Sequence, residues 1–261
     1  MNLTVPLPPL LLAIAMSIFS AAVVAAGACT AKSGATAPSL VELYTSEGCD
    51  SCPPADRWFS TLKADAERGK VVPLSFHVDY WDYIGWKDRF AEPRFGVRHR
   101  AAAARGGAKV VYTPQVFLDG REFQAWRQTP VDKVRSGAAV NAARPTLQMT
   151  ATPAAGSVQV DVGGSDAAGG RTAEAYIALF ENGLASNVTA GENRGVRLRH
   201  DFVVRRWVGP FAFDGGKLNV STAIMAPGDS VLAQSGIAVV AYDERGTVLQ
   251  ALAVPLRECG G

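Results

Sequence analysis

Leu40-Val-Glu-Leu-Tyr-Thr-Ser-Glu-Gly48-Cys49-Asp-Ser-Cys52-Pro-Pro-Ala-Asp-Arg-Trp-Phe59 decides how this chain is read. Leu40 to Tyr44 alternates apolar and polar side chains, the pattern of a half-buried strand. From Pro53 the apolar residues Ala55, Trp58, Phe59, Leu62 and Ala66 fall on one helical face, which Gly69 closes. Proline fits only the first turn of a helix, where a backbone N–H is unpaired anyway. Ser51 is therefore expected as N-cap, with Cys49 exposed just ahead of the helix, near its positive end. A strand, a vicinal dithiol and a helix in that order place Cys49 and Cys52 where a redox pair is formed.

The surrounding sequence sets the compartment. Hydrophobic residues make up 48% and charged residues 19% of the chain, an ordinary globular balance. A net charge of +2 gives no reason to expect a nucleic-acid partner. No charged side chain precedes Lys32, and an apolar run from Leu10 ends in Ala26-Gly-Ala28. That is a secretory leader over residues 1–28, although its first nine residues lack Lys or Arg; the alternative is an uncleaved anchor. The mature protein is expected outside the cytoplasm, where disulfides persist. It would contact membrane only if Cys29 is lipidated or the leader is retained. Cys29 and Cys259 either pair or stay separate.

Residues 29–38 have linker composition. Lys70 to Val78 reads as a largely buried strand, parallel to the first because a helix intervenes. Phe90–Arg105 is expected as a helix and Val110–Leu118 as a strand. Asp119-Gly120 is a hairpin signal, Arg121–Trp126 a returning strand, and Thr129–Ala143 a last helix. Beyond Pro145 the chain shows about seven short strand-like segments and no helical period. The expected fold class is thus an α/β domain over 39–144 followed by an all-β, sandwich-like domain over 145–256 and a tail over 257–261.

The β-α-β-α-β-β-α order with a dithiol after the first strand resembles the thioredoxin fold. Thr113-Pro114 before the third strand is a second marker: the resemblance implies a cis proline there, facing the dithiol. Val41 to Asp56, Ser75 to Asp88 and Val111 to Gln115 together resemble a bacterial secreted thioredoxin-like family catalogued only as a domain of unknown function. The likeness extends to Gly191-Glu-Asn-Arg-Gly195 and His200-Asp-Phe-Val-Val-Arg205. It implies a redox role with no assigned substrate.

Cys49 is the expected nucleophile and Cys52 the resolving thiol, with Pro114 aligning the substrate and Thr113 beside it. Glu47 and Asp50 should oppose thiolate formation and make the couple reducing or weakly oxidising. Tyr80, Trp81 and Trp86 are candidates to cover the dithiol. His77 and Asp79 are candidates for proton transfer or metal ligation. Arg197, Arg199 and Asp201 fall on one face of their strand, either a solvated face or a contact surface.

The leading function is an exported thiol–disulfide oxidoreductase acting on a protein or small-molecule thiol or disulfide. No cofactor beyond the disulfide and no metal are expected, since zinc would need a second ligand pair. The alternatives are a copper-delivery module using Cys49, Cys52 and His77, and a non-catalytic binding protein whose disulfide only pins the turn.

Overall fold

The structure is a computed structural model; it describes Met1 and residues 27–34, 37–129, 144–166 and 172–259. Residues 2–26 of the expected leader and 130–143 of the expected last helix lie outside the described residues. No described helix is long and apolar enough to cross a membrane.

Around the dithiol the local reading is close. Strand β2 (Ser39–Thr45) is buried throughout and runs parallel to β3 (Val71–His77), in register from Ser39 opposite Val71 to Thr45 opposite His77. Helix α1 (Pro53–Ser60) begins on the two prolines, with Cys52 rather than Ser51 at its N-cap. The Ser51 hydroxyl lies 3.4 Å from the Cys49 sulfur and does not cap the helix. The helix breaks where the Thr61 hydroxyl donates to the Trp58 carbonyl, then resumes as α2 (Lys63–Glu67). Helix α3 (Pro93–Arg105) returns the chain to β4 (Gln115–Leu118), antiparallel to β2. Asp119 and Gly120, both at positive φ, turn it into the two-residue β5 (Arg121–Glu122). The strands expected over Val110–Leu118 and Arg121–Trp126 are shorter: pairing with β2 begins only at Gln115, and the ladder with β5 holds only Phe117 and Leu118.

The expected fold class does not hold. Strand dominates, with fourteen strands against three α-helices among the described residues. Strands from both halves of the chain share one sheet. The later strands in it are β8 (Thr172–Glu181), β11 (Val203–Ala212), β13 (Ser235–Asp243) and β14 (Val248–Pro255). They join the earlier ones in the order β14-β13-β8-β11-β3-β2-β4-β5. The joint is the parallel pairing of β11 with β3, Val203 opposite Ser75, where the Ser75 N–H donates to the Phe202 carbonyl at 2.8 Å. An α/β domain standing apart from a β-sandwich would leave the outer edge of β3 unpaired; here β11 takes that edge and the sheet continues.

A second sheet, β1-β6-β7-β12, comprises Cys29–Lys32, Thr146–Ala154, Ser157–Ser165 and Lys217–Met225. Its first strand is cut from the segment read as linker. Strands β3 and β13 are buried on both faces, in keeping with their largely apolar runs. Ala238, Val240 and Tyr242 of β13 pack with Phe59, Phe95 and Ala102 of the helices. Ile237, Val239 and Ala241 pack against Leu147, Val160 and Leu218 of the second sheet. A cluster shared between chain halves on the helix side is a further departure from two independent cores.

The segment expected as one strand over 196–207 divides into β10 (Arg197–His200) and β11. The break is Phe202, held at φ +58 with its N–H bonded to the Asn182 side chain. Among the described residues, strand β10 pairs only with β9 (Leu184–Asn187), forming a separate two-stranded ribbon.

Candidate functional site

Cys49 and Cys52 are bonded to each other, and Cys29 to Cys259. In the latter pairing the Cys29 sulfur is not free to carry a thioether-linked lipid. The Thr113–Pro114 bond is cis, and the Thr113 carbonyl oxygen lies 3.8 Å from the Cys49 sulfur. Thr113 accepts a hydrogen bond from the Trp81 indole at 2.7 Å through its hydroxyl. Trp81 in turn packs on Gly48, where a Cβ would stand 3.0 Å from the Trp81 Cβ and 3.3 Å from its carbonyl oxygen. The glycine before the dithiol is thus what allows Trp81 to close over this turn. Gly48→Ala is expected to destabilise the fold by about 1–3 kcal/mol, the range for overpacking, and to displace Trp81. Urea unfolding followed by tryptophan fluorescence measures both.

Cys49 is not exposed: both sulfur-bearing residues are fully buried, at 0%. The tip of the β9–β10 ribbon, far along the chain, is bonded to the backbone of the dithiol turn. The Asn193 carboxamide nitrogen donates to the carbonyls of Glu47 and Cys49, each at 2.9 Å. The Glu192 carboxylate accepts the Asp50 N–H at 3.1 Å. Behind the turn lies a buried charged cluster. The Glu47 carboxylate accepts from the Trp86 indole at 2.8 Å and stands 3.2 Å from His200 Nε2. His200 Nδ1 is 3.7 Å from Asp56 of α1. His77 donates through Nδ1 to Asp88 at 2.6 Å, and the same Asp88 oxygen accepts the Glu47 N–H.

Burial alone would deprotonate His200, yet its contacts with Asp56 and Glu47 raise its pKa to about 10, so the ring is an imidazolium at neutral pH. Burial alone would protonate Glu47, but the His200 contact wins and holds it below the usual carboxylate range. Asp88 likewise stays ionised against burial, through the His77 ring and two backbone N–H groups. The Glu47 charge, expected to repel a thiolate, is thus neutralised from behind by His200. Asp50 is exposed to solvent.

The other expected site residues divide. Trp81 and Thr113 meet the dithiol turn, and Trp86 meets it through Glu47. Tyr80 turns away: its hydroxyl donates to Nδ1 of His99, whose Nε2–H is given to the Gln115 side chain at 2.6 Å. Burial drops that ring's pKa to about 4 and keeps it neutral. Asp79 stands against Gly96 of α3, while His77 pairs with Asp88, so His77 and Asp79 do not form one group. No set of three or more His, Cys, Asp or Glu side chains among the described residues has the geometry to hold a metal ion. Arg197 and Arg199 are exposed, but Asp201 is buried and pairs with Lys63 at 2.7 Å.

Residues 40–241 match the family described as a protein of unknown function, DUF1223. The chain belongs to that family. A crystal structure of a protein from Agrobacterium tumefaciens is similar to this DUF1223 chain, with 25% identity and a TM-score of 0.58. The similarity covers 85% of this chain and 96% of that one. No curated protein matches. Cys49, Cys52, Thr113, Pro114, Asn193 and His200 all fall inside the DUF1223 match, and Cys29 and Cys259 outside it.

Asn193, His200, Asp56 and Asp88 lie in the stretches that carry the family resemblance, but the sequence reading gave none of them a role. The usable signal was histidine itself. The chain has three histidines, His77, His99 and His200, and all are buried.

Proposed function

We propose that this protein is an exported thiol–disulfide oxidoreductase working through Cys49 and Cys52. The observation that carries the reading is the Cys49 sulfur set against the carbonyl of the cis Thr113–Pro114 segment, at the end of a buried strand and the start of a helix. The leader-like N-terminus and the two disulfides fit a compartment in which disulfides persist.

In the reductive direction the Cys49 thiolate attacks one sulfur of a substrate disulfide. That bond breaks, the departing substrate thiolate takes a proton from solvent, and a mixed disulfide forms. Cys52 loses its proton and attacks the Cys49 sulfur, releasing the second substrate thiol and leaving the Cys49–Cys52 bond. Two electrons pass to the substrate, and a dithiol donor must restore the reduced pair. Glu47 and Asp50, the first offset by His200 and the second solvated, lend the Cys49 thiolate no positive support. That makes the couple reducing or weakly oxidising.

A Cys52→Ser variant, expressed with its leader, is expected to accumulate mixed disulfides through Cys49 on non-reducing gels. Absence of any trapped species sinks the reading. The complete burial of the pair favours a second reading, a disulfide that only pins the turn. A reduction potential below about −300 mV, typical of structural bridges, together with no exchange activity would select that one.

A further inference from the structure

A buried disulfide exchanges only if an incoming thiolate reaches one sulfur in line with the S–S bond. With both cysteines at 0% exposure, something must move. The ribbon tip, residues 188–196, meets the dithiol turn directly. It sits on the dithiol turn through three hydrogen bonds: two from the Asn193 carboxamide and one to the Glu192 carboxylate. Its strands belong to neither large sheet, and a lone two-stranded ribbon has little stability of its own. Glu192 and Arg194 to Arg197 are exposed.

The two ends of the ribbon differ in how they are held. At the base, Leu184 packs with Phe90 and Val203, Arg89 bonds Ser186 and the Ala185 carbonyl, and Asp201 pairs with Lys63. At the tip, Gly191 and Gly195 adopt positive φ, +72 and +84. Gly191 lies so close to Trp86 and Ile84 that a Cβ would come within 3.3 Å of the first and 3.4 Å of the second. The tip thus rests in a fitted seat, anchored at one end and hooked at the other.

We propose that the β9–β10 ribbon gates the dithiol, with Asn193 as the latch and Glu192 as a second hook, so that electron exchange at Cys49–Cys52 requires the tip to lift. The purpose of such a gate rests on the oxidoreductase reading, but its existence does not.

The test uses dithiothreitol on the oxidised full chain, with alkylation and peptide mass reporting Cys49 and Cys52 separately from Cys29 and Cys259. Asn193→Ala is expected to speed reduction by dithiothreitol, and re-oxidation by its oxidised form, about tenfold each, as loss of two modest hydrogen bonds implies. The equilibrium between the two couples should not move. Glu192→Ala, at an exposed position, should shift both rates the same way by less. If Asn193→Ala does not fold, Glu192→Ala alone decides. Unchanged rates overturn the gate, and so does a change in one direction only with a shifted equilibrium, which would make Asn193 a residue that merely positions the turn. Dithiothreitol acts on any reachable disulfide, so a chain without oxidoreductase activity still gives a clear answer.

Discussion

Replacing Cys259 by Ser is expected to lower the free energy of unfolding by about 5 kcal/mol, the value that loop-closure entropy gives for a cross-link between distant residues. The two partners are 230 positions apart, so this bond restrains the chain from Cys29 to Cys259 in its unfolded state. The native side of the balance adds to it. Cys29 opens the four-residue β1, an edge strand whose only ladder partner among the described residues is β6. It is buried in the cluster between the two large sheets, with Cys259 packed against it. Without the cross-link, β1 keeps only that short ladder. Cys29→Ser should cost the same as Cys259→Ser, because each removes one and the same bond, and the double variant should cost no more than either. Reversible urea unfolding of the three variants measures this. Losses under about 1 kcal/mol, well below the usual range, would mean that the termini are not joined in solution.

That staple also marks where sequence reasoning stops. Four cysteines allow three pairings, and only the local one between Cys49 and Cys52 carries its own argument from spacing. The pairing of the ends depends on β1 lying beside β6, a contact no local pattern encodes. The same division runs through the fold. Prolines 53 and 54, the alternation in Leu40–Tyr44 and the Asp119-Gly120 turn are short-range signals, and the elements beside them formed close to where they were read. The pairing of β11 with β3 is long-range and hangs on a corner at Phe202, a bulky residue at positive φ that propensity disfavours. The apolar run in β3 reads as a buried strand from sequence, and the one in β13 only as a strand. Neither run could name the layers that would cover it.

In the site the gap is of the same kind. Strand β10 alternates, and its two faces are legible: Arg197 and Arg199 on one, Leu198 and His200 on the other. Which face meets Glu47 depends on where the ribbon packs, and the charged face drew the functional reading while the working residue lay opposite. Asn193 was equally hidden. A carboxamide in a Gly-bounded loop looks like turn chemistry until the loop is placed over the carbonyls of Glu47 and Cys49.

His200→Ala is the other change with a large expected effect, a loss of about 3–5 kcal/mol at neutral pH, the range for removing one partner of a buried ion pair. The imidazolium is almost wholly enclosed and is the positive charge between Glu47 and Asp56; without it two carboxylates remain buried behind the dithiol turn. Its pH signature separates this from simple loss of packing. A histidine whose pKa rises from 6.5 to about 10 on folding contributes its full stabilisation below pH 6.5. The contribution then falls by about 1.4 kcal/mol per pH unit and is gone as pH passes 10. Glu47, held below its usual range, works in the opposite sense: its share is present above the ordinary carboxylate range and is lost as pH falls through the lowered pKa. The wild-type chain should therefore lose stability steadily from pH 6.5 to 10, and His200→Ala should be less stable but flat over that interval. A parallel decline in both proteins would mean that His200 is not the group titrating. The same variant bears on the dithiol, since it removes the buried positive charge behind the turn. In the reduced protein the Cys49 thiol should then titrate higher than in wild type, a shift measurable by the pH dependence of its alkylation rate.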